Sequence, residues 1–159
     1  MIPYSINEFY DDIRFIATSV QVYADEVKSE NLKWDPDVII AIARGGCVPG
    51  VYLSHLLSKP LEIITWQTRD GCTKQVPNIS NDKQVLIVDD INDSGLTFNQ
   101  ILNSLNFETE LERKRMKKNI KTAALWERNS SKFSVDIKPN KIDTKDWIIF
   151  PWDLPPEEV

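Results

Sequence analysis

The sequence predicts an α/β domain with a mostly parallel, twisted sheet and helices on both of its faces. Two observations lead to this fold class. Apolar runs rich in β-branched residues are typical of strands buried on both faces, and they alternate along the chain with amphipathic helical patterns. The connections between these runs are also long enough for the crossovers that parallel strands require. At 159 residues, the chain has the length of one domain.

The elements follow in order. Apolar residues at helical intervals from Ile6 to Ala24 predict a first helix, which Ser5 and Glu8 begin as a capping box. Strands are predicted at 37–43, 61–66, 84–89 and 121–126, with shorter strand-like pieces at 134–137 and 147–150. Helices are predicted over 48–57 and around the spaced residues Phe98, Ile101, Leu102 and Leu105.

Composition excludes several classes of function. With 19 basic and 24 acidic residues, net charge −5 and pI near 4.9, the chain is not expected to bind nucleic acid in general. No apolar run is long enough to cross a membrane, and the first residues lack the pattern of a signal peptide. The two cysteines, Cys47 and Cys72, are expected to be reduced thiols, so we expect a cytoplasmic protein.

The most informative stretch begins at Val85, where an apolar strand runs into the acid pair Asp89-Asp90. Asp93, Ser94 and Gly95 follow, and Leu96 and Thr97 open a helix. The carboxyl end of a parallel strand is the usual ligand crevice of open α/β sheets, and a helix N-terminus offers free N–H groups to a phosphate. Gly95 is expected to let the backbone approach that phosphate, so that any side chain there would occupy its space.

Three aspartates beside a phosphate would repel it. They are therefore expected to face sugar hydroxyls or a divalent cation. A ligand with a phosphate at one end and a diol beside a metal is a phosphorylated ribose.

The run IVDDINDSGLT resembles the phosphoribosyl-diphosphate-binding motif of the type I phosphoribosyltransferases. Arg44-Gly45-Gly46, after the first buried strand, looks like the diphosphate loop of that family. DWIIFPWD, at 146–153, resembles the nucleobase-covering segment of the bacterial xanthine-guanine phosphoribosyltransferases. Together these likenesses extend over about residues 37 to 153.

The resemblance implies a role for each matching residue. Asp89 and Asp90 would hold the ribose hydroxyls and, with Asp90 nearest, Mg²⁺, while Asp93 would be the acid/base residue beside purine N7. The other implied ligand contacts are Arg44, Gly45 and Gly46 for the diphosphate, Ser94, Gly95, Leu96 and Thr97 for the 5′-phosphate, Arg128 for purine O6, and Trp147 and Ile148 for the base.

A segment of about 17 residues, Gln67 to Lys83, has no periodicity and is rich in turn-forming residues. It falls where the family carries its mobile catalytic loop, and we interpret it as a lid. Its cation for the diphosphate is expected to be Arg69, with Lys74 as the alternative.

Other interpretations compete with these. Response-regulator receiver domains open with a similar strand and acid pair, but they need more chain than the 70 residues that follow Asp89. The acid pair could be solvated turn residues, and Trp147 could be a core residue. His55 and Cys47 are expected to have no catalytic role, and the basic cluster at 113–118, which follows several glutamates, is expected to lie on a solvated helix.

The resemblance implies a single domain, with a core of about 1–127 and a base-covering hood of about 128–159. Its implied activity is transfer of the 5-phosphoribosyl group from phosphoribosyl diphosphate to a 6-oxopurine with Mg²⁺, in a homodimer or homotetramer. The alternative is a non-catalytic regulator of the same fold that senses phosphoribosyl diphosphate or nucleotides.

Overall fold

The computed structural model describes residues 1–26, 34–66, 74–80, 82–105 and 109–153. In chain order the elements are β1 (Ile2–Pro3), α1 (Ile6–Glu26), β2 (Val38–Ala43), α2 (Cys47–Leu57), β3 (Leu61–Thr65), β4 (Val85–Asn92), α3 (Leu96–Ser104), α4 (Glu110–Asn119), β5 (Ile120–Arg128), β6 (Asn140–Ile142) and β7 (Ile148–Ile149).

Five of the strands form one parallel sheet in the order β3-β2-β4-β5-β6, and β1 pairs with β7 in a separate two-stranded sheet. Alternate residues of the central strands point to opposite faces. Ile39, Leu86 and Val88 pack in a cluster with residues of α1 and α2, whereas Ile40 and Ile87 pack with residues of α3 and α4. The predicted α/β class, with a parallel sheet covered by helices on both faces, is confirmed.

Strand β4 is longer than predicted, because it continues past Asp89 to Asn92. Its neighbour β5 is nine residues long and pairs with it as far as Asn92↔Glu127. On the other side, β2 pairs with β4 only up to Ala41↔Val88. The acid pair therefore lies within a strand, just beyond the point where the pairing of β4 with β2 stops.

The predicted strand at 134–137 is wrong. Only Ile137 bridges β5, opposite Ala123, and the regular pairing resumes at Asn140 in β6. Pro139 has no N–H to donate to a ladder, which accounts for the interruption. The short strands β1 and β6 had no recognisable pattern in the sequence.

The charged stretch after Thr109 forms helix α4, as expected. Thr109 and Glu112 make a capping box, and the basic side chains of the cluster are exposed. Within the described ranges, no helix combines the length and apolar character needed to cross a membrane.

Candidate active site

Two motifs that are far apart in sequence meet where β2 ends. A Cβ atom added to Gly45 would lie 2.2 Å from an Asp90 carboxylate oxygen, and one added to Gly46 would lie 2.4 Å from the Val88 carbonyl oxygen. The 44–46 loop therefore packs directly on the acid pair, and no side chain fits at either glycine. The sequence-predicted diphosphate loop and the sequence-predicted ribose site share one crevice.

The acid pair accepts hydrogen bonds from the main chain: the Asp90 N–H donates to Asp89 Oδ1 at 2.9 Å and the Ile91 N–H to Asp90 Oδ1 at 2.7 Å. Burial, followed by the repulsion between the two carboxylates, raises the pKa of Asp89 well above its usual range, and contacts with the backbone N–H groups of Asp90 and Gly46 offset this only in part. Burial also raises the pKa of Asp90, to which the nearby charge of Asp153 adds. Among the described residues, no cationic side chain forms an ion pair with either carboxylate.

A divalent cation fits this pair. Mg²⁺ is held in many proteins by one or two carboxylates together with substrate phosphates and water, so two crowded carboxylates without a cationic partner suit it. In the described part of the chain, no group of three or more carboxylate, histidine or cysteine side chains could hold a metal ion by itself. Substrate oxygens would have to complete the coordination.

Arg44 is the cation nearest to this crevice in sequence. It follows β2 directly, its side chain is exposed, and its carbonyl accepts a hydrogen bond from the Cys47 N–H at 3.1 Å. No carboxylate of the described chain lies within ion-pair distance of it. An exposed guanidinium without an ion-pair partner among the described residues is a group that can bind phosphate oxygens.

Helix α3 begins where the motif predicted it. Gly95 is its N-cap residue with φ of 81°, in the left-handed region, and Ser94 and Leu96 are exposed while Thr97 is half-buried. The Leu96 N–H donates to Ser94 Oγ at 3.3 Å. The first-turn N–H groups of α3 and two hydroxyl side chains thus border the same edge of the sheet as the acid pair.

A positive φ, one expected reason for a glycine at position 95, is observed, but the other, space for the phosphate, needs correction. A Cβ atom there would meet the Phe133 backbone N at 2.5 Å and Ser131 Oγ at 2.8 Å, which are protein atoms and not the phosphate space. Gly95 is required by its positive φ and by the turn packed against it. A valine at this position would disturb the local fold as well as any phosphate site.

Asp93 is exposed and faces Arg128, whose Nε donates to its Oδ1. The same guanidinium donates through Nη1 to the Thr144 carbonyl and through Nη2 to the Asp146 carbonyl, the latter at 2.8 Å. Arg128 thus links the predicted acid/base residue to the segment that precedes Trp147. A purine carbonyl oxygen that accepts a hydrogen bond from Arg128 would have to share a guanidinium N–H with one of these acceptors or replace that acceptor.

Trp147 is not a core residue, because 64% of its surface is exposed. It is held from both sides: Asp146 is fixed by Arg128 and by the N-terminal amine at 3.3 Å, and Ile148 pairs with Ile2. The side chain of Ile148 is buried in the core cluster around α1. The contact expected between Ile148 and a base can therefore be made only by the main chain of Ile148.

The remaining sequence-predicted residues have different outcomes. Arg69 and most of the first half of the predicted lid lie outside the described residues. The backbone of Lys74 forms an isolated antiparallel β-bridge with Trp66, and the Lys74 Nζ lies 5.7 Å from the centre of the Trp66 ring. His55 is exposed, and burial raises the pKa of Cys47, which makes it a poor nucleophile, as expected.

Sequence reasoning missed Asn92, Glu127 and Lys138. The Asn92 Nδ2 donates to Glu127 Oε2 at 3.0 Å, and the Lys138 ammonium lies 3.2 Å from Glu127 Oε1. Asn92 and Glu127 directly precede Asp93 and Arg128 and are opposite each other in the sheet. A glutamate directly after the predicted strand 121–126 was a signal, but most of its partners come from the segment around 134–138, which was wrongly predicted as a strand.

Comparison with known proteins agrees with this geometry. The phosphoribosyl transferase domain family matches residues 7–158. A purine phosphoribosyltransferase from Pyrococcus horikoshii Ot3 is 29% identical, with a TM-score of 0.72 over 98% of this chain and 95% of that one. The xanthine-guanine-hypoxanthine phosphoribosyltransferase of Helicobacter pylori has the same fold, with a TM-score of 0.69 at 21% identity over 95% of this chain and 92% of that one.

An orotate phosphoribosyltransferase of Sulfurisphaera tokodaii is 28% identical over 109 residues, which are 65% of this chain. The match spans 55% of the length of that curated relative. The carboxylate pair, the glycine loop packed on it and the helix N-terminus beside it all lie within the matched family range. The chain belongs to the phosphoribosyl transferase domain family.

Proposed function

We propose that this protein transfers the 5-phosphoribosyl group from phosphoribosyl diphosphate to a 6-oxopurine in purine salvage, giving a nucleoside 5′-monophosphate and diphosphate. The observation that carries this proposal is the Arg128 guanidinium, which joins Asp93 to the segment bearing the exposed Trp147. A phosphoribose site at the end of β4 and an aromatic platform for a base are thereby held by one side chain.

Each group has a task in this reaction. The N-terminus of α3, with Ser94 and Thr97, would bind the 5′-phosphate, while Asp89 and Asp90 would accept hydrogen bonds from the ribose hydroxyls. Arg44 and the 44–46 loop would bind the diphosphate. The bond between C1′ and the diphosphate oxygen breaks, a bond from C1′ to a purine nitrogen forms, and the proton of the base passes to Asp93.

Asp89 and Asp90 would also hold Mg²⁺, which when bound supplies charge neutralisation for the diphosphate leaving group. The raised pKa values of both carboxylates, which have burial as their main cause, support this assignment, because a bound cation would stabilise the charged forms.

Trp147 would stack on the base, since a large aromatic face this exposed is otherwise unpartnered among the described residues. Arg128 can only donate hydrogen bonds, and a 6-oxopurine offers it an acceptor at O6 where adenine presents an amine. If the adenine amine faced the Arg128 guanidinium in a site closed to water, both hydrogen-bond donors would be left unpaired. An unpaired buried donor costs about 1–3 kcal/mol, and more when it is charged.

The test is diphosphate release with Mg²⁺, phosphoribosyl diphosphate and each base in turn. At least one of guanine, xanthine and hypoxanthine should exceed adenine in kcat/KM by about 100-fold or more. Arg128→Ala should lower the ratio of kcat/KM for the best 6-oxopurine to kcat/KM for adenine, whereas Arg128→Lys should preserve this ratio. Both variants also lose contacts that hold the hood segment. The ratio between bases, and not the absolute rate, is therefore the informative quantity.

Three results would contradict the proposal or parts of it. Adenine turned over as well as the best 6-oxopurine would remove the role of Arg128, and orotate as the best acceptor would place the substrate outside the purines. Tight binding of phosphoribosyl diphosphate without turnover of any base would instead indicate the regulator.

A homodimer or homotetramer is part of the proposal. Several apolar side chains of α1 and α2 are exposed together, and the hydroxyls of Tyr10 and Tyr52 approach to 3.5 Å within this surface. Its members are Ile6, Tyr10, Val51, Tyr52 and Leu56. Sedimentation velocity of the wild-type protein and of Leu56→Glu measures the oligomeric state, and a wild-type monomer would remove this part.

A further inference from the structure

We infer that Glu127 is a positioning residue that fixes the phosphate-binding loop at Ser94–Thr97 by anchoring the segment Ser131–Lys138 behind it. This inference deepens the proposed function, since it names a residue that acts on the 5′-phosphate site without touching the substrate.

Glu127 is the centre of a buried polar cluster. Its surface is 4% exposed, and its carboxylate accepts hydrogen bonds from the Val135 N–H at 2.7 Å, from Ser134 Oγ at 3.1 Å and from Asn92 Nδ2 at 3.0 Å. The Lys138 ammonium completes the set as an ion pair. Three of these four donors belong to the 131–138 segment, so this one carboxylate fixes the segment to the end of β5.

The same segment supports the phosphate loop from its other side. The Lys132 N–H donates to the Ser94 carbonyl at 3.1 Å, and the Phe133 carbonyl accepts from Asn92 Nδ2 at 2.6 Å. Phe133 also packs so closely on Gly95 that no Cβ would fit there. The left-handed turn at Gly95 is thus bounded by residues that Glu127 anchors.

The four donors outweigh burial, which by itself would raise the pKa of Glu127, so that its pKa lies below the ordinary value. The carboxylate therefore stays ionised, and the anchor stays intact, at any pH at which the enzyme would work.

The segment offers a matched control in Asp136. That carboxylate also accepts from the main chain and a side chain, namely the Thr122 N–H at 2.8 Å and Thr122 Oγ1 at 3.0 Å, with Lys121 as its ion-pair partner. It anchors the segment near the start of β5, away from Ser94 and Gly95. Asp136→Asn therefore weakens the attachment of the segment without releasing the end that supports the loop.

The experiment compares Glu127→Gln, Lys138→Met and Asp136→Asn with the wild-type protein. Hydrogen–deuterium exchange of the peptide covering residues 94–97 is measured without ligand, and binding of phosphoribosyl diphosphate with Mg²⁺ is measured by calorimetry. In Glu127→Gln and Lys138→Met the loop amides should exchange faster, and the dissociation constant should rise about tenfold or more, because small displacements of a phosphate clamp are costly. Asp136→Asn should leave the constant within about twofold, as expected for a site without shared partners.

Equal loop exchange in Glu127→Gln and Asp136→Asn would overturn the inference, as would a lower melting temperature of Glu127→Gln with unchanged exchange at 94–97. If the wild-type protein fails to bind phosphoribosyl diphosphate, the proposed function fails. The exchange comparison needs no ligand and still decides the role of Glu127. Lys138→Met keeps the test open should Glu127→Gln fail to fold.

Discussion

The carboxylates at the ends of two neighbouring strands show opposite electrostatic behaviour. On β4, burial raises the pKa values of both Asp89 and Asp90, with the charge of Asp90 adding to the first and that of Asp153 to the second, and the described residues form no ion pair with either. On β5, Glu127 is buried as well, yet its pKa is lowered because four donors surround it. Burial alone therefore does not distinguish these carboxylates, whereas an ion-pair partner among the described residues does, since Lys138 pairs with Glu127 and no cation pairs with Asp89 or Asp90.

The difference in partners separates a carboxylate that stabilises the fold from carboxylates that are candidates for binding a ligand. A buried carboxylate whose partners all come from the protein is complete without a ligand and stabilises the fold. A pair whose charge is left uncompensated costs stability in the free protein, and a cation or a polyol substrate removes that cost. Asp93 is the intermediate case, with one cationic partner and an exposed carboxylate.

The largest effect is expected at Asp93. Asp93→Asn keeps the shape of the side chain but removes its basic site, so kcat with the best base should fall about 10²–10⁴-fold. Its affinity for phosphoribosyl diphosphate should change much less, which steady-state kinetics and calorimetry together measure. A near-native kcat would show that Asp93 does not transfer the proton of the base.

Glu127→Gln should lower the free energy of unfolding by about 1–3 kcal/mol at neutral pH, because it removes a charged acceptor from four donors and the ion-pair partner from the half-buried Lys138 ammonium. Since the folded-state pKa of Glu127 is below the unfolded value, its contribution is complete above the unfolded pKa and is lost as the pH falls through the folded one. Urea unfolding of both proteins should thus give a difference that shrinks below about pH 4. A pH-independent difference would mean that the charge of Glu127 is not what stabilises the fold.

Asp89→Asn should raise the free energy of unfolding, in contrast to Glu127→Gln, and the change should be smaller. The folded-state pKa of Asp89 is raised, so its ionisation destabilises the free protein once the pH exceeds the unfolded value of about 3.9. The variant should melt a few degrees higher at pH 7 without ligand, where 1 kcal/mol corresponds to about 2–4 °C, and this gain should vanish in acid. A lower melting temperature at pH 7 would contradict the comparison.

The sequence was a good guide to the parts of the molecule that depend on local pattern. Buried strands such as 37–43 are continuous apolar runs, and Gly95 before Leu96 marks a helix start, so both appeared where predicted. The end of β4 was misplaced because the pairing of Asn92 with Glu127 depends on a strand 35 residues away.

The candidate site was predictable to a similar extent. The motif identified the acid pair and the 44–46 loop, and the structure places them together. Arg128 was expected to face a base, but its partners Thr144 and Asp146 follow from the tertiary path of the hood. The role of Glu127 was hidden for the same reason, since three of its donors lie in the irregular segment that follows β5 and the fourth, Asn92, lies on another strand.

The central claim is that the acid pair of β4, which has no cationic partner among the described residues, binds Mg²⁺ and phosphoribosyl diphosphate. Calorimetric titration with phosphoribosyl diphosphate, with and without Mg²⁺, tests it most directly in the wild-type protein and in the double variant Asp89→Asn, Asp90→Asn. We predict Mg²⁺-dependent binding to the wild-type protein and its loss in the variant, which should remain folded. Equal affinity in both proteins, or wild-type binding that is indifferent to Mg²⁺, would contradict the account.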